Sequence, residues 1–79
     1  MSIIIYSKPD CVQCNATCRA FDKHGINYQL IDLTEDERAL DKVRAMGYQQ
    51  VPVIIAGDQH WCGFRPDKIS ELRQLQSSY

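Results

Sequence analysis

The sequence lacks any marked excess of charge of one sign. Nine lysines and arginines stand against ten aspartates and glutamates, which gives the 79 residues a formal net charge of −1. Proteins that bind nucleic acid or an anionic membrane surface carry clustered positive charge, and the sequence contains no basic stripe of that kind. We therefore expect no nucleic-acid partner and no membrane surface.

Long apolar runs are also missing. No run approaches the roughly 20 residues that a membrane-spanning helix needs, and the first residues do not follow the charged, apolar and small-residue order of a secretory signal. We expect a cytoplasmic protein without a membrane segment. A chain of 79 residues is expected to fold as a single domain, residues 1–79.

Cysteine is unevenly distributed. Three of the four cysteines lie within residues 11–18, and the fourth is Cys62. Disulfide scaffolds spread their bridges over distant loops, so this crowding favours redox or metal chemistry. Structural zinc normally takes four ligands, often from two Cys-x-x-Cys pairs. The chain has one such pair and no second one, with Cys18, Cys62, His24 and His60 as further candidate ligands. We therefore expect no metal and keep a metal or iron–sulfur module as the alternative.

Apolar runs and turn residues predict the element order βαβ, then α, then ββα. The predicted strands are residues 3–6, 26–33, 51–56 and 59–62, and the predicted helices are residues 11–24, 34–47 and the segment from Pro66 onward. Two strands joined by one helix pair in parallel, whereas strands joined by a tight turn form an antiparallel hairpin. The prediction is an α/β protein with a four-stranded mixed sheet flanked by three helices. A strand, a Cys-x-x-Cys helix and a later Val-Pro pair that opens a strand make this order resemble the thioredoxin fold.

Helix ends and inward positions follow from the same patterns. Asp10 is predicted to cap the first helix, and Thr34 with Glu37 to form a capping box for the second. Gly25 is predicted to end the first helix. The predicted inward side chains of the second and last helices are Leu40, Val43, Met46, Ile69, Leu72 and Leu75.

Cys11 and Cys14 open the first predicted helix, directly after a strand. Unpaired backbone N–H groups and the helix dipole favour a thiolate at such a position. Lys8 adds a favourable charge, while Asp10 opposes it. Cys11 is therefore predicted to be the nucleophile, and Cys14, one turn deeper, the resolving thiol of a redox-active disulfide.

Other residues are predicted to surround this pair. Pro52 opens the third strand, and a cis Val51–Pro52 bond would place the Val51 backbone beside the dithiol. Trp61 and Phe64 are predicted to be partly exposed as a docking surface, with ordinary core aromatics as the alternative. Cys18, a small apolar residue on the inward helix face, is predicted to be neither catalytic nor paired with Cys62.

Two separated motifs resemble the NrdH redoxins, which are small glutaredoxin-like dithiol proteins. Residues 5–14 read Ile-Tyr-Ser-Lys-Pro-Asp-Cys-Val-Gln-Cys and resemble the start of that family. Residues 61–67 read Trp-Cys-Gly-Phe-Arg-Pro-Asp and resemble its second signature, except that Cys62 stands where the family usually has serine. Agreement of both motifs is more specific than a Cys-x-x-Cys pair alone.

The resemblance implies a thiol–disulfide oxidoreductase that donates electrons to class Ib ribonucleotide reductase. It also implies reduction by thioredoxin reductase with NADPH. We expect no bound cofactor and a monomer. The residues expected to contact substrate or partner are Lys8, Val12, Gln13, Val51, Pro52, Trp61, Phe64 and Arg65. Bulk at residues 61, 64 and 65 is expected to exclude glutathione, so a glutathione-dependent glutaredoxin is the alternative within the same chemistry.

Overall fold

The computed structural model describes residues 2–76, and their side chains as far as residue 74. The elements are β1 (Ile3–Ser7), α1 (Val12–Lys23), β2 (Gln29–Asp32), α2 (Glu37–Ala45), β3 (Val53–Ala56), β4 (Gln59–Cys62) and α3 (Pro66–Gln76). Their order is the predicted βαβαββα. None of the helices described here has the length and apolar character required to span a membrane.

The four strands form one mixed sheet in the order β2-β1-β3-β4. β1 runs parallel to β2 and antiparallel to β3, and β3 pairs antiparallel with β4 in the predicted hairpin. β1 therefore lies inside the sheet, and four of its five residues are buried. The prediction of a central strand covered on both faces is confirmed, because its unbroken apolar run has a packed layer on either side.

Neighbouring residues of β1 and β3 belong to different apolar clusters, so the sheet is covered on both faces. Ile5 and Ile54 pack with Phe21 of α1 and Ile69 of α3. Tyr6 and Val53 pack instead with α2. Helices α1 and α3 thus share one face of the sheet, and α2 covers the other.

The predicted inward positions are largely confirmed. Val43, Ile69 and Leu72 are buried, while Leu40 and Met46 are only half-buried and Ala39 takes the other buried position of α2. The side chain of Leu75, also predicted to face inward, lies outside the described side chains.

Helix α1 begins one residue later than predicted. Asp10 has a left-handed backbone (φ 59°), whereas Cys11 has the extended backbone of an N-cap residue (φ −102°, ψ 108°) and accepts a hydrogen bond from the Cys14 N–H. The prediction of Asp10 as the cap is therefore wrong, since an N-cap residue needs the extended conformation. The end of the helix at Gly25 is confirmed by its positive φ of 68°.

The cap of α2 also differs from the prediction. Thr34 donates both its N–H and its hydroxyl to Asp32 Oδ1, at 2.8 and 2.6 Å. Because its hydroxyl is engaged with Asp32, Thr34 does not cap the helix. Asp36 does so, with its Oδ1 accepting from the Ala39 N–H at 3.0 Å.

Two strands are shorter than predicted. The Ile26 N–H donates to the Phe21 carbonyl at 2.9 Å, which closes the end of α1 and keeps Ile26 out of β2. Ile26 is buried in the core without belonging to a strand. β3 starts at Val53 because Val51 and Pro52 lie before its first pairing with β1, Val53 opposite Tyr6.

We expect Asp36→Ala to lower the free energy of unfolding by about 1 kcal/mol, because the Ala39 N–H loses its capping acceptor. Urea unfolding followed by circular dichroism measures the change. Asp41→Ala, on the exposed side of the same helix, is the matched control and should leave stability nearly unchanged. Equal losses in the two variants would contradict the assignment of Asp36 as the cap.

Candidate active site

Cys11 lies at the junction of the turn after β1 and the first turn of α1. Its Sγ accepts a hydrogen bond from the Cys14 N–H at 3.1 Å. The sulfur therefore sits at the positive end of the helix, where backbone N–H groups and the helix dipole stabilise a negative charge. This position confirms the environment predicted for the nucleophile.

Cys11 and Cys14 are joined by a disulfide, and their Cα atoms are 5.2 Å apart. The two sulfurs differ in access, since Cys11 is half-buried and Cys14 is only 3% exposed. An incoming disulfide can reach Cys11, and Cys14 is held one turn deeper, close enough to attack a bond formed on Cys11. The geometry suits an attacking thiol and a resolving thiol in that order.

The Val51–Pro52 segment lies directly beside the pair. The bond between these residues is cis, as predicted, and the Val51 carbonyl oxygen is 4.0 Å from Cys11 Sγ. Pro52 itself is buried, and its carbonyl accepts a hydrogen bond from the Gly63 N–H at 2.8 Å. The end of β4 is thereby tied to the same segment.

The residues after β4 border the start of α1. Gly63 has a positive φ of 84°, and a side-chain Cβ there would lie 3.6 Å from Gln13 Oε1.

Phe64 is 40% exposed, as predicted, but Trp61 is only 5% exposed and belongs to the core covered by α1 and α3. The predicted exposure of Trp61 is wrong because α3 packs over the face of β4 that carries this residue. Its bulk therefore lies in the core and not at the surface, where it was expected to help exclude glutathione.

Arg65 is held by a side chain of α3. Its guanidinium contacts the Asp67 carboxylate through two hydrogen bonds, at 3.0 and 3.2 Å. This contact raises the pKa of Arg65 and lowers the pKa of Asp67. Both side chains are exposed to solvent, so the pair contributes little to stability.

A cavity of about 960 Å³ opens beside Cys11. Five predicted site residues line it, Lys8, Cys11, Val12, Gln13 and Val51, whereas Pro52, Trp61, Phe64 and Arg65 do not. The other lining residues come from α2 and the loops at its ends: Leu33, Thr34, Leu40, Val43, Arg44, Gly47, Tyr48, Gln49 and Gln50. The sequence analysis did not predict this second wall; the polar residues 48–50, just before the Val-Pro pair, are the one sequence signal that could have indicated it.

The remaining cysteines, Cys18 and Cys62, are unpaired and half-buried. Each packs against a different apolar cluster, which confirms that they do not pair with each other.

Burial raises the pKa of the Tyr28 hydroxyl, and its contacts with Cys18 and Asp22 raise it further. Tyr28 is therefore a neutral phenol beside Cys18.

Metal-ligating side chains do not converge in the described part of the chain. Within residues 2–76, no group of three or more His, Cys, Asp and Glu side chains lies close enough to hold a metal ion. His24 caps the C-terminal end of α1, and the exposed ring of His60 hydrogen-bonds the Tyr48 hydroxyl. These residues therefore provide no ligand set for the alternative function, a metal or iron–sulfur module.

Comparison with known proteins decides the family. Residues 3–61 match the family described as Glutaredoxin. The glutaredoxin-like protein NrdH of Escherichia coli strain K12 is 47% identical over 72 residues, which cover 91% of this chain and 89% of that protein. The chain belongs to the NrdH redoxins of the glutaredoxin family. A Lactococcus lactis NrdH is 33% identical over 70 residues, covering 89% of this chain and 97% of its own.

The solved structure of the E. coli NrdH-redoxin superposes with a TM-score of 0.89 and covers 91% of this chain and 95% of its own. That protein is described as glutaredoxin-like with a thioredoxin-like activity profile. The thioredoxin fold is confirmed by this match. The present NrdH redoxin is a thiol–disulfide oxidoreductase whose redox centre is the Cys11–Cys14 pair.

We expect brief alkylation of the reduced protein near neutral pH to label Cys11 first. Cys11 is accessible at the helix N-terminus, whereas Cys14 is buried. Peptide mapping by mass spectrometry identifies the labelled residue. Thiol titration in denaturant should count four free thiols in the reduced protein. In the mildly oxidised protein it should count two, those of Cys18 and Cys62. Labelling of Cys14 or Cys62 ahead of Cys11 would contradict the assignment.

Proposed function

We propose that this NrdH redoxin carries electrons from thioredoxin reductase, which draws them from NADPH, to class Ib ribonucleotide reductase. In this proposal the protein acts in the cytoplasm as a monomer and as a single domain, residues 1–79. The observation that carries the proposal is an accessible Cys11 backed by a buried Cys14 in a chain 47% identical to an E. coli NrdH. The thioredoxin-like activity profile of the E. coli protein supports it.

The chemistry is a two-electron exchange of disulfides. The Cys11 thiolate attacks one sulfur of the substrate disulfide, forms a mixed disulfide and releases the other substrate sulfur as a thiolate, which takes up a proton. The Cys14 thiolate then attacks Cys11 Sγ and releases the second substrate thiol. The substrate gains two electrons and two protons, and the protein is left with the Cys11–Cys14 disulfide. The reductase returns two electrons from NADPH and restores both thiols.

The backbone beside the pair suits an extended protein segment as substrate. Val51 precedes β3, so its N–H and carbonyl lie outside the ladder between β1 and β3. Its carbonyl is already 4.0 Å from Cys11 Sγ. A substrate strand bound along Val51 would therefore present its disulfide to Cys11, with Pro52 fixing the direction of the Val51 carbonyl.

Exposed apolar side chains flank the pair, Val12 at the cavity and Phe64 after the end of β4. Val12 is 80% exposed and Phe64 is 40% exposed. In our proposal these two residues, with Lys8, Gln13 and Arg65, contact the partner proteins. Trp61 supports the segment from within the core.

Cys11→Ser should abolish disulfide reduction because it removes the attacking sulfur, and Cys14→Ser should leave the mixed disulfide unresolved. Incubation of Cys14→Ser with a protein disulfide, followed by non-reducing electrophoresis, should reveal a covalent adduct that dithiothreitol dissolves. Cys62→Ser is the matched control and should keep its turnover. A folded Cys62→Ser protein without turnover would show that this third thiol takes part in the reaction.

The proposed electron source is tested by running two reducing systems side by side. NADPH oxidation should be rapid with thioredoxin reductase and slow with glutathione plus glutathione reductase, with an insulin disulfide as the common acceptor. The outcome that rules out the proposal is efficient turnover with glutathione and no response to thioredoxin reductase. That outcome would favour a glutathione-dependent glutaredoxin.

Phe64→Ala should raise the KM of thioredoxin reductase for this protein by about fivefold or more, because truncating an aromatic anchor at an interface often costs more than 1 kcal/mol. Steady-state kinetics with varied redoxin gives the KM. Leu30→Ala removes a comparably exposed apolar side chain from edge strand β2, where Leu30 is 54% exposed. If both variants shift the KM equally, Phe64 has no special part in docking.

A further inference from the structure

In the part of the chain that the structure describes, the charged residues that line the cavity beside Cys11 are all of one sign. They are Lys8, in the turn before α1, and Arg44, in the last turn of α2. No carboxylate of residues 2–76 lines the cavity, although the whole chain has a net charge of −1. The cavity is thus a locally positive site in a protein that is slightly negative overall.

These two cations are not neutralised by the protein itself. At the start of α3, Arg65 pairs with Asp67 at 3.0 Å and Lys68 lies 3.9 Å from Glu71. Within residues 2–76, no corresponding ion pair engages Lys8 or Arg44, and both side chains are exposed. Their charge is therefore available to an anionic ligand.

The rest of the cavity suits a peptide segment. Leu33, Leu40 and Val43 provide apolar surface, and Thr34, Gln49 and Gln50 provide hydrogen-bonding groups. The volume of about 960 Å³ lies near the top of the range for small-molecule pockets, roughly 300–1,000 Å³. Cys11 and Val51 lie at the same cavity, so a segment occupying it can reach the nucleophile.

We propose that this cavity selects protein disulfides whose flanking segment is acidic, with Lys8 and Arg44 pairing with carboxylates next to the substrate cysteines. This inference rests on the proposed function, since it concerns the disulfide that Cys11 reduces. Arg44 acts as a specificity residue and takes no part in the sulfur chemistry. Exposed ion pairs are individually weak, so the preference is modest and depends on salt.

The test uses the reduced protein alone, freed of reductant, so that neither reductase takes part. Three disulfide peptides of one sequence are compared, with the cysteines flanked by Asp, Asn or Lys. Rapid quenching and mass spectrometry give the rate of peptide reduction. The readout is the ratio of the Asp-peptide rate to the Asn-peptide rate, which cancels general changes in the reactivity of Cys11.

We expect a ratio of about five for the wild-type protein at low salt, falling toward one in about 0.5 M KCl as the charges are screened. Arg44→Gln and Lys8→Gln should each lower the ratio about twofold. Arg38→Gln makes the same change at an exposed position of α2 that does not line the cavity, and it should keep the wild-type ratio.

Other outcomes overturn the inference. Equal rates on the Asp and Asn peptides, or equal effects of Arg44→Gln and Arg38→Gln, would refute a role of Arg44 in selecting acidic segments. If Arg44→Gln slows reduction of glutathione disulfide as much as that of the Asp peptide, the cavity selects the tripeptide and not a protein segment. Failure of the wild-type protein to reduce any of the three peptides would instead refute the proposed function.

Discussion

The N-cap of α1 and the reacting atom of the redox centre are the same sulfur. Cys11 Sγ accepts the Cys14 N–H at 3.1 Å, so helix formation delivers a hydrogen-bond donor to the atom that must carry negative charge after reduction. Asp10 has a carboxylate that could cap the helix, but its left-handed backbone is not that of an N-cap residue, so Cys11 is the cap instead. The neighbouring residues then have to leave this sulfur accessible and present a substrate to it.

The sheet topology brings those neighbours together. β1 lies between β2 and β3, so the turn that follows it emerges over the middle of the sheet, where antiparallel β3 begins. The Val51–Pro52 segment consequently meets Cys11, and the Gly63 N–H bond to Pro52 brings the end of β4 to the same place. The redox centre has a cavity with two cations on the side of α2 and exposed Phe64 on the side of β4.

Sequence patterns predicted the element order, the buried central strand and the two active cysteines, because buried apolar runs and a helix-terminal Cys-x-x-Cys are local signals. They failed where several residues compete for one role. Thr34 and Asp36 are both good caps, and only the bond from Thr34 to Asp32 decides between them. The burial of Trp61 depends on α3, a partner distant in sequence. Arg44 was overlooked because it is exposed, and hydrophobic periodicity carries no information about the cavity beneath it.

The position of Trp61 gives the protein an internal fluorophore. It is the single tryptophan of the chain, and within residues 2–76 its buried indole N–H has no hydrogen-bond partner. An indole in such surroundings emits at shorter wavelength than one in water, so its spectrum monitors the packing of α3 against the sheet. A partner protein that docked as proposed, at Phe64 and the cavity, would leave this side chain covered. Its emission therefore separates loss of folding from loss of docking in any variant of the active site.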